Sequence, residues 1–430
     1  MRPNFLLILL LLPLVCLTAC NDTCRETRTY RQYTPVTFTA EQIRNGVKQD
    51  APRALVNPGK IYTKDGYLLI NEIKEGIHLI DNRDPTNPRP VAFIHIPGNG
   101  DMAIRNNILY VDSYMDLVAL DISSLTDIKE VNRVQNVFPN GQFDGGWWSF
   151  NQSTSLLSDQ RARYVTETVE TNCEDGMVTR QNSCPNCMFL DFANRSSSAA
   201  PAPNTNGVGG SMARFTLYDN YLYTVGQQDM QLFDIRTPAE PRQGERINLG
   251  WGIETVFPYK DKLFIGSTTG MMIYDNTNPA KPVRMSVFQH ARVCDPVVVH
   301  DNIAYVTLRS GTNCGGNLNQ LDVVDIKDLY NPKLLKSYPM QNPHGLGVDF
   351  PNLFICEGQS GLKSLDARNA LDVKQLEHMS GMNAYDVIPM GTSAGSKHLL
   401  MIGKDGLYQY DYTNPQQLRL LSKIAVNRPF

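Results

Sequence analysis

The chain has 430 residues, of which 42% are hydrophobic and 19% are charged, with 31 glycines and 26 prolines. This composition is typical of a folded, turn-rich protein and excludes a disordered or fibrous chain. The formal charge is −3, and no basic cluster offers the counterion-releasing surface that nucleic-acid binding requires. The one long apolar run, residues 5–17, lies at the N-terminus. We therefore expect neither a nucleic-acid partner nor a multi-pass membrane protein.

Residues 1–19 have the layout of a secretory signal peptide: Arg2, an apolar core, and small residues. The sequence Leu-Thr-Ala-Cys at 17–20 resembles the lipobox of bacterial lipoproteins. The resemblance implies that Cys20 is lipidated and that the body works at the bacterial cell envelope, on the periplasmic face or the cell surface. Asn21 after the cysteine favours the outer membrane. The alternative is an ordinary signal peptide that ends in cysteine. Residues 20–54 then read as a polar tether.

The body, residues 55–426, repeats one motif seven times with a period near forty. Each copy predicts four short strands, the third ending in aspartate. The second strands are rich in β-branched, aromatic and leucine residues, and they lie at 67–70, 108–111, 221–224, 263–265, 303–306, 353–355 and 399–402. The aspartates are Asp81, Asp121, Asp234, Asp275, Asp325, Asp366 and Asp411. We expect them to cap turns rather than to form a calcium ladder, because each belongs to a different repeat.

A four-stranded unit of this size cannot bury both faces of its sheet alone, and radial stacking around an axis supplies the missing contacts. The sequence therefore predicts an all-β fold, a β-propeller of seven four-stranded blades with one long inserted loop at about 140–210. Residues 34–39 are a candidate strand for completing the last blade, and the alternative is that they belong to the tether.

Three repeats carry a family resemblance. They read GIHLID at 76–81 with Asp-Pro at 84–85, GMMIYD at 270–275 with Asn-Pro at 278–279, and LDVVD at 321–325 with Asn-Pro at 331–332. These segments look like the LVIVD repeat of bacterial and archaeal surface propellers, and the likeness covers most of residues 55–426. It implies the propeller fold and is nearly silent on activity.

Aligning the repeats places one set of polar residues at the starts of the first strands, where they would ring one mouth of the central channel. The set is Lys60, Asp101, Arg214, Glu254, Asp295, His344 and Asp386. Its four carboxylates could partly supply a calcium site, and His344 could act as a ligand or general base. The alternative is a solvated mouth in which Lys60 and Arg214 balance the acids and a backbone carbonyl holds His344.

The insertion at about 140–210 and the loop at 310–319 are both predicted to cover this mouth. Long insertions in compact folds are usually functional or disordered. Trp147 and Trp148 either anchor the insertion on the propeller or grip a ligand.

The exported body contains seven cysteines, so at least one is unpaired. Cys294 and Cys314 are expected to meet on one face and form a disulfide. Cys173, Cys184 and Cys187 are predicted to tie down the insertion through structural disulfides. A redox pair and a zinc site are the alternatives for these three residues.

No nucleophile elbow, metalloprotease motif or phosphate loop is present in the sequence. We therefore predict a lipid-anchored, extracytoplasmic binding or scaffolding module for a protein or glycan partner, with no cofactor. The alternative, which rests on fold analogy and the ring of acids, is a calcium-dependent hydrolase of the lactonase or phytase kind with its site at the channel mouth.

Overall fold

The computed structural model describes residues 23–143, 146–172, 187–189, 208–211, 213–290, 296–310, 318–391 and 397–427. The chain divides into two compact units. Residues 1–36 and 160–192 belong to the smaller unit, and residues 37–159 and 193–430 belong to the larger one.

The strands follow one another in groups of four, which we name blades 1 to 7. The first elements are β1 (Thr23–Thr39), helix α1 (Ala40–Arg44) and β2 (Lys48–Asp50). Blade 1 has β3 (Pro58–Lys64), β4 (Tyr67–Glu72), β5 (Gly76–Asp81) and β6 (Arg89–His95), and blade 2 has β7 (Met102–Arg105), β8 (Ile108–Ser113), β9 (Asp116–Asp121) and β10 (Lys129–Val134). The insertion contains β11 (Asn140–Phe143), β12 (Gly146–Asn151), β13 (Leu156–Asn172), β14 (Cys187–Phe189) and β15 (Val208–Gly209).

The remaining blades repeat the same plan. Blade 3 has β16 (Phe215–Tyr218), β17 (Tyr221–Val225), β18 (Asp229–Asp234) and β19 (Arg242–Asn248), and blade 4 has β20 (Ile253–Tyr259), β21 (Lys262–Ser267), β22 (Gly270–Asp275) and β23 (Val283–Gln289). Blade 5 has β24 (Val297–His300), β25 (Ile303–Leu308), β26 (Gln320–Asp325) and β27 (Lys333–Pro339). Blade 6 has β28 (Leu346–Asp349), β29 (Asn352–Cys356), β30 (Leu362–Asp366) and β31 (Lys374–Met379), and blade 7 has β32 (Ala384–Gly391), β33 (Lys397–Gly403), β34 (Gly406–Asp411) and β35 (Arg419–Ala425).

The predicted propeller is confirmed. Within the described residues, each of the seven blades is an antiparallel sheet of four consecutive strands, and β2 and β15 extend the sheet of blade 1. Every predicted second strand is the second strand of a blade, and every predicted aspartate ends a third strand. Inner strands such as β22 are buried on both faces, whereas outer strands such as β19 are largely exposed. The repeat was readable because inner strands buried on both faces are continuous apolar runs.

The seven terminal aspartates cap turns, as the sequence predicts. In each of them, Oδ1 accepts a hydrogen bond of 2.8–3.1 Å from the backbone N–H two residues later. This local bond turns the chain from the third strand toward the fourth. The hydroxyl of Thr277 and then its backbone N–H lower the pKa of Asp275 to about 2, and bonds from the side chains of Thr413 and Arg419 and from the Thr413 N–H do the same for Asp411.

Neighbouring blades share an apolar core and a recurrent tyrosine contact. The hydroxyl of Tyr110 in β8 donates to the Pro238 carbonyl of blade 3 at 2.7 Å, and that of Tyr223 in β17 donates to the Pro279 carbonyl of blade 4 at 2.8 Å. Both tyrosines are fully buried. Burying an unpaired hydroxyl is unfavourable, so each tyrosine must keep its carbonyl partner within hydrogen-bond distance. This contact therefore fixes the distance between consecutive blades.

The ring closes without a strand exchanged between its ends. Blade 7 is complete within Ala384–Ala425. A parallel bridge joins Leu55 to Val426, the Asn427 N–H donates to the Leu55 carbonyl at 2.7 Å, and Ser422 Oγ donates to the Pro85 carbonyl at 2.6 Å. Residues 34–39 are therefore not part of blade 7; they belong to β1.

From Thr23 onward, most of the predicted tether is regular structure. β1 lies between β13 and β14 in its sheet, and α1 begins with a capping box in which Thr39 and Gln42 bond each other's backbone N–H groups. β2 pairs with β6 at the edge of blade 1. The polar sequence of β2 hides this strand, because an edge strand needs few apolar residues.

Candidate functional site at one mouth of the propeller

Four of the predicted ring residues line one cavity of about 140 Å³, which we call the mouth cavity. Lys60 lies in β3, Asp101 precedes β7, Arg214 precedes β16, and Glu254 lies in β20. Arg309, which follows β25 in blade 5, also lines the cavity although the alignment did not select it. The mouth cavity thus draws charged residues from five consecutive blades.

Asp101 joins blades 1, 2 and 3. Its Oδ2 accepts hydrogen bonds from the backbone N–H groups of Arg214 (2.6 Å) and Phe215 (3.2 Å), and it also contacts the ammonium group of Lys60. Its Oδ1 accepts from the Met102 N–H at 2.7 Å. Burial lowers the pKa of Lys60, and the charge of Asp101 opposes that shift. Both carboxylate oxygens are engaged, so Asp101 acts as a clamp between blades.

Asp112, which sequence reasoning missed, shapes the adjoining wall. Its Oδ1 accepts from the Gly100 N–H (2.8 Å), the Asp101 N–H (2.9 Å) and Asn99 Nδ2 (2.9 Å). Burial raises the pKa of Asp112 to about 6, although the two amides oppose the shift. Asp112 fixes the loop before β7 and, through it, the position of Asp101.

The hairpin of β11 and β12 forms another part of the cavity wall. Trp148, only 4% exposed, meets Tyr114 edge to face at 5.3 Å and packs with Leu157. Gly141 is its partner across the hairpin, and a Cβ at that position would lie 2.5 Å from the indole nitrogen. Trp148 therefore anchors the insertion, one of the two roles that the sequence allowed.

Trp147 points to the other side of the hairpin and stacks on Trp251, with ring centroids 5.9 Å apart and planes at 26°. The two rings are 41% and 56% exposed. Trp251 stands between Gly250 and Gly252, whose φ angles of +91° and +85° favour glycine. Sequence analysis missed Trp251, although Gly-Trp-Gly is a signal for a tightly turned, exposed aromatic residue.

The turn that carries Trp251 is tied to the cavity wall. The Gly252 N–H donates to the Gln227 carbonyl at 2.9 Å, and the Leu249 N–H donates to the Gln228 carbonyl at 2.8 Å. Gln227 itself lines the mouth cavity. We call Trp147 and Trp251 the tryptophan pair, and it lies beside the cavity.

His344 and Asp386 do not line the mouth cavity; both are buried. Neither imidazole nitrogen of His344 and neither carboxylate oxygen of Asp386 has a hydrogen-bond partner in the described part of the chain. Burial, and secondarily Arg309, holds the pKa of His344 well below its usual value. Burial raises the pKa of Asp386 well above normal, against the opposing effects of the Val387 amide and Lys60.

Several predicted residues lie outside the described residues: Cys20, Cys173, Cys184, Cys294, Asp295 and Cys314. Cys187 is described only through the backbone of β14. The disulfide and lipidation predictions therefore stay predictions. Cys356 in β29 is a free, buried thiol whose pKa is raised by burial.

The described residues contain neither a metal-binding cluster nor a membrane-spanning helix. No three His, Cys, Asp or Glu side chains among them are arranged to hold a metal ion. No helix among them is both long and apolar enough to cross a membrane.

No protein-family model and no curated protein sequence matches this chain. Solved structures resemble it at very low sequence identity. The computationally designed Ika8 protein has a TM-score of 0.49 and 9% identity, over 87% of this chain and 90% of that one. Sqt1 from Saccharomyces cerevisiae has a TM-score of 0.48 and 11% identity over 89% and 98%, and BamB from Moraxella catarrhalis has 0.47 and 8% over 88% and 96%. Such likenesses do not bear on activity or partner.

Proposed function

We propose that this β-propeller is a non-catalytic binding module that holds a protein or glycan partner at the mouth lined by the insertion hairpin. The observation that carries the proposal is the exposed tryptophan pair beside the mouth cavity. Exposed tryptophans are unusual in a soluble domain and are enriched among residues that dominate binding energies. The hairpin and the turn before β20 hold both rings in place, so little side-chain freedom is lost when a partner binds.

The carboxylates in the cavity support a binding role. Asp101 and Asp112 accept hydrogen bonds from backbone amides, and Asp101 also pairs with Lys60. Both oxygens of Asp101 are engaged in this way, so Asp101 is poorly suited to shuttle a proton or to ligate an ion. The calcium-dependent hydrolase therefore stays an alternative without a structural observation in its favour.

Lipid anchoring belongs to the same proposal and rests on the lipobox resemblance at residues 17–20. Acyl chains contribute roughly 0.8 kcal/mol per buried methylene, so two or more chains on Cys20 would keep the propeller at a membrane. The lipobox resemblance points to the bacterial cell envelope, and Asn21 after the cysteine favours the outer membrane. The mass of the mature N-terminal peptide tests this directly: Cys20 with a lipid adduct supports the anchor, and an unmodified cysteine contradicts it.

Photo-cross-linking on cells tests the binding role. A photoreactive amino acid replaces Trp251 in one variant and Tyr330, which is 71% exposed in the turn after β26, in a matched control. We expect a discrete adduct from position 251 that weakens when Trp147→Ala is added, and no matching adduct from position 330. Identical adduct patterns at the two positions, or none at 251, would sink the proposal.

A further inference from the structure

Five aromatic rings line the mouth cavity and hold one another in place. Tyr114 meets Phe143 and Trp148 edge to face, with ring centroids 6.2 and 5.3 Å apart. The centroids of Phe138 and Phe215 lie 6.1 Å apart. These rings give the cavity an apolar wall that is formed before anything binds, so little freedom is lost when a ligand enters.

The charged residues around the cavity already have partners inside the protein. Both oxygens of Asp101 are engaged, one of them with Lys60, and Asp112 Oδ1 accepts from three donors. Three more charged residues that line the cavity also take part in interactions within the chain, namely Arg214, Glu254 and Arg309. The set contains three cations and three acids. A charged ligand would therefore add an uncompensated charge to a poorly solvated space, and that is unfavourable.

Neutral polar groups of the cavity residues do not favour a polar ligand either. Trp148 Nε1, Gln227 Nε2 and Thr255 Oγ1 are closed to solvent, so a ligand in the cavity cannot bond them. A ligand rich in hydroxyl or amide groups would give up its bonds to water, and these atoms would offer none in return. The walls thus favour an apolar ligand over a sugar.

The cavity has room for one large apolar side chain. Its volume is about 140 Å³, and an apolar cavity of about 150 Å³ is known to accept one benzene molecule. Benzene is the ring of a phenylalanine side chain, and a leucine side chain is of similar size. The lining includes the exposed Asn140 and the half-buried Phe143, so the cavity is open to the surface.

All three tryptophans of the chain lie at this mouth. Trp148 lines the cavity, and Trp147 and Trp251 form the exposed tryptophan pair beside it. Protein interfaces commonly centre on an apolar anchor residue in a pocket, with further aromatic residues around it that exclude water. A pocket for one side chain with exposed rings beside it has this arrangement. A free small molecule would use the pocket alone.

We infer that the mouth cavity receives one uncharged apolar side chain, of phenylalanine or leucine size, from a protein partner that also packs on the tryptophan pair. This inference rests on the proposed binding function and narrows the partner to a protein. The inserted side chain leaves water for the aromatic wall, and burial of its apolar surface drives the insertion.

Tryptophan fluorescence of the full chain in detergent micelles tests the insertion, because every tryptophan lies at the mouth. The probes are the amides of N-acetylphenylalanine and N-acetylleucine for the apolar class, those of N-acetylglutamate and N-acetyllysine for the charged class, and methyl glucoside for the sugar class. N-acetyltryptophan amide in the same micelles is the blank for effects of the detergent. We expect a saturable change with the two apolar probes and none with the other three.

Filling the cavity should prevent insertion. Ile73 lines the cavity and is half-buried, so Ile73→Phe adds volume there. Ile303→Phe is the matched control, because Ile303 in β25 is also half-buried but does not line the cavity. We expect the affinity for the apolar probes to fall at least about tenfold in Ile73→Phe and to stay unchanged in Ile303→Phe. Equal affinities in the two variants would contradict the inference. Should Ile73→Phe fail to fold, the pattern of probes on the unmodified chain decides.

Photo-cross-linking on cells then identifies the class of the natural ligand. A photoreactive amino acid replaces Asn140, which is exposed and lines the cavity. Mass spectrometry should find position 140 joined to a partner peptide that carries an apolar residue at the joint, and Ile73→Phe should weaken this adduct. An adduct with a glycan, or with a peptide that has no apolar residue there, would overturn the inference.

Failure of both apolar probes to bind, or binding of methyl glucoside or a charged probe in their place, would also overturn it. The adduct at position 251 separates this failure from that of the binding role. With that adduct present and the apolar probes unbound, the propeller is still a binding module, but its partner does not enter the cavity.

Discussion

At the scale of single residues, the aspartates at the ends of the third strands show how one side chain defines a repeat. Asp275 accepts from the Thr277 N–H at 3.1 Å and from the Thr277 hydroxyl at 2.6 Å, and it lies 3.1 Å from Lys262 Nζ. These contacts are within a few residues or across one strand pair. The bond to the backbone N–H two residues later forms in each blade independently. This is why the motif could be read from sequence without knowing the fold.

Asp275→Ala should therefore destabilise the protein by about 0.5–1.5 kcal/mol, whereas Asp275→Asn should lose less because asparagine can cap the same turn. The pKa of Asp275 is lowered to about 2. Its ionised form therefore contributes stability above the unfolded value near 3.8, and this contribution is lost as pH falls toward 2. Denaturant unfolding at pH 7 and pH 2.5 measures both effects. An alanine variant as stable as wild type at pH 7 would contradict the capping role.

Asp386 should behave in the opposite way. Burial raises its folded pKa, so folding is favoured when the group is protonated, and stability falls as pH rises above the unfolded value toward the raised one. Asp386→Asn should stabilise the protein at pH 7 and have little effect at pH 3.5. Thermal unfolding across pH 3.5–7.5 gives the comparison. Asp349→Asn is the carboxylate control, because Asp349 is only partly buried. A destabilised Asn variant at pH 7 would show that an ionised Asp386 has a partner.

At the scale of elements, the hairpin of β11 and β12 is a feature that local sequence patterns did not predict. Its sequence has an Asp-Gly-Gly turn signal at 144–146 between two short runs, yet the sequence analysis predicts only one long inserted loop here. Alternation along β12 puts Trp148 inside and Trp147 outside. Which tryptophan is buried depends on the contact with Tyr114, and no local pattern specifies that contact.

This alternation predicts unequal effects of two neighbouring substitutions. Trp148→Ala should destabilise the protein by about 3 kcal/mol because it empties a packed site, whereas Trp147→Ala should change stability by less than about 1 kcal/mol. Urea unfolding of both variants makes the comparison. Equal losses would mean that the tryptophan pair is a structural contact and not an accessible surface.

At the scale of the whole molecule, the sequence predicts the fold better than the site. The period, the strands and the turns are local signals repeated seven times, so errors in one blade are corrected by the others. The mouth cavity depends on which residues meet across blades. Lys60, Asp101, Arg214 and Glu254 line the mouth cavity, whereas His344 and Asp386 do not. The alignment treats these positions as equivalent, because contacts across blades leave no mark in a local pattern.

The calcium alternative also belongs to this scale, because it requires acids from several blades to share one ion. With Asp101 engaged by Lys60 and backbone amides, we expect the thermal midpoint to be the same within about one degree in millimolar calcium and in chelator. A site at a hundredfold excess of calcium over its dissociation constant would add about 2.7 kcal/mol, or several degrees. A shift of that size, abolished by Asp101→Asn, would revive the hydrolase alternative.

The closure of the ring by the Leu55–Val426 bridge means that every blade is encoded by one uninterrupted stretch of chain. No blade borrows a strand from the far end of the sequence, so the ring has no obligatory starting point. The two ends of the propeller lie side by side, and a linker between them with new ends opened at another junction would leave the four consecutive strands of every blade intact. The gene could therefore be cut and rejoined at several blade boundaries to give circular permutants that keep the same mouth.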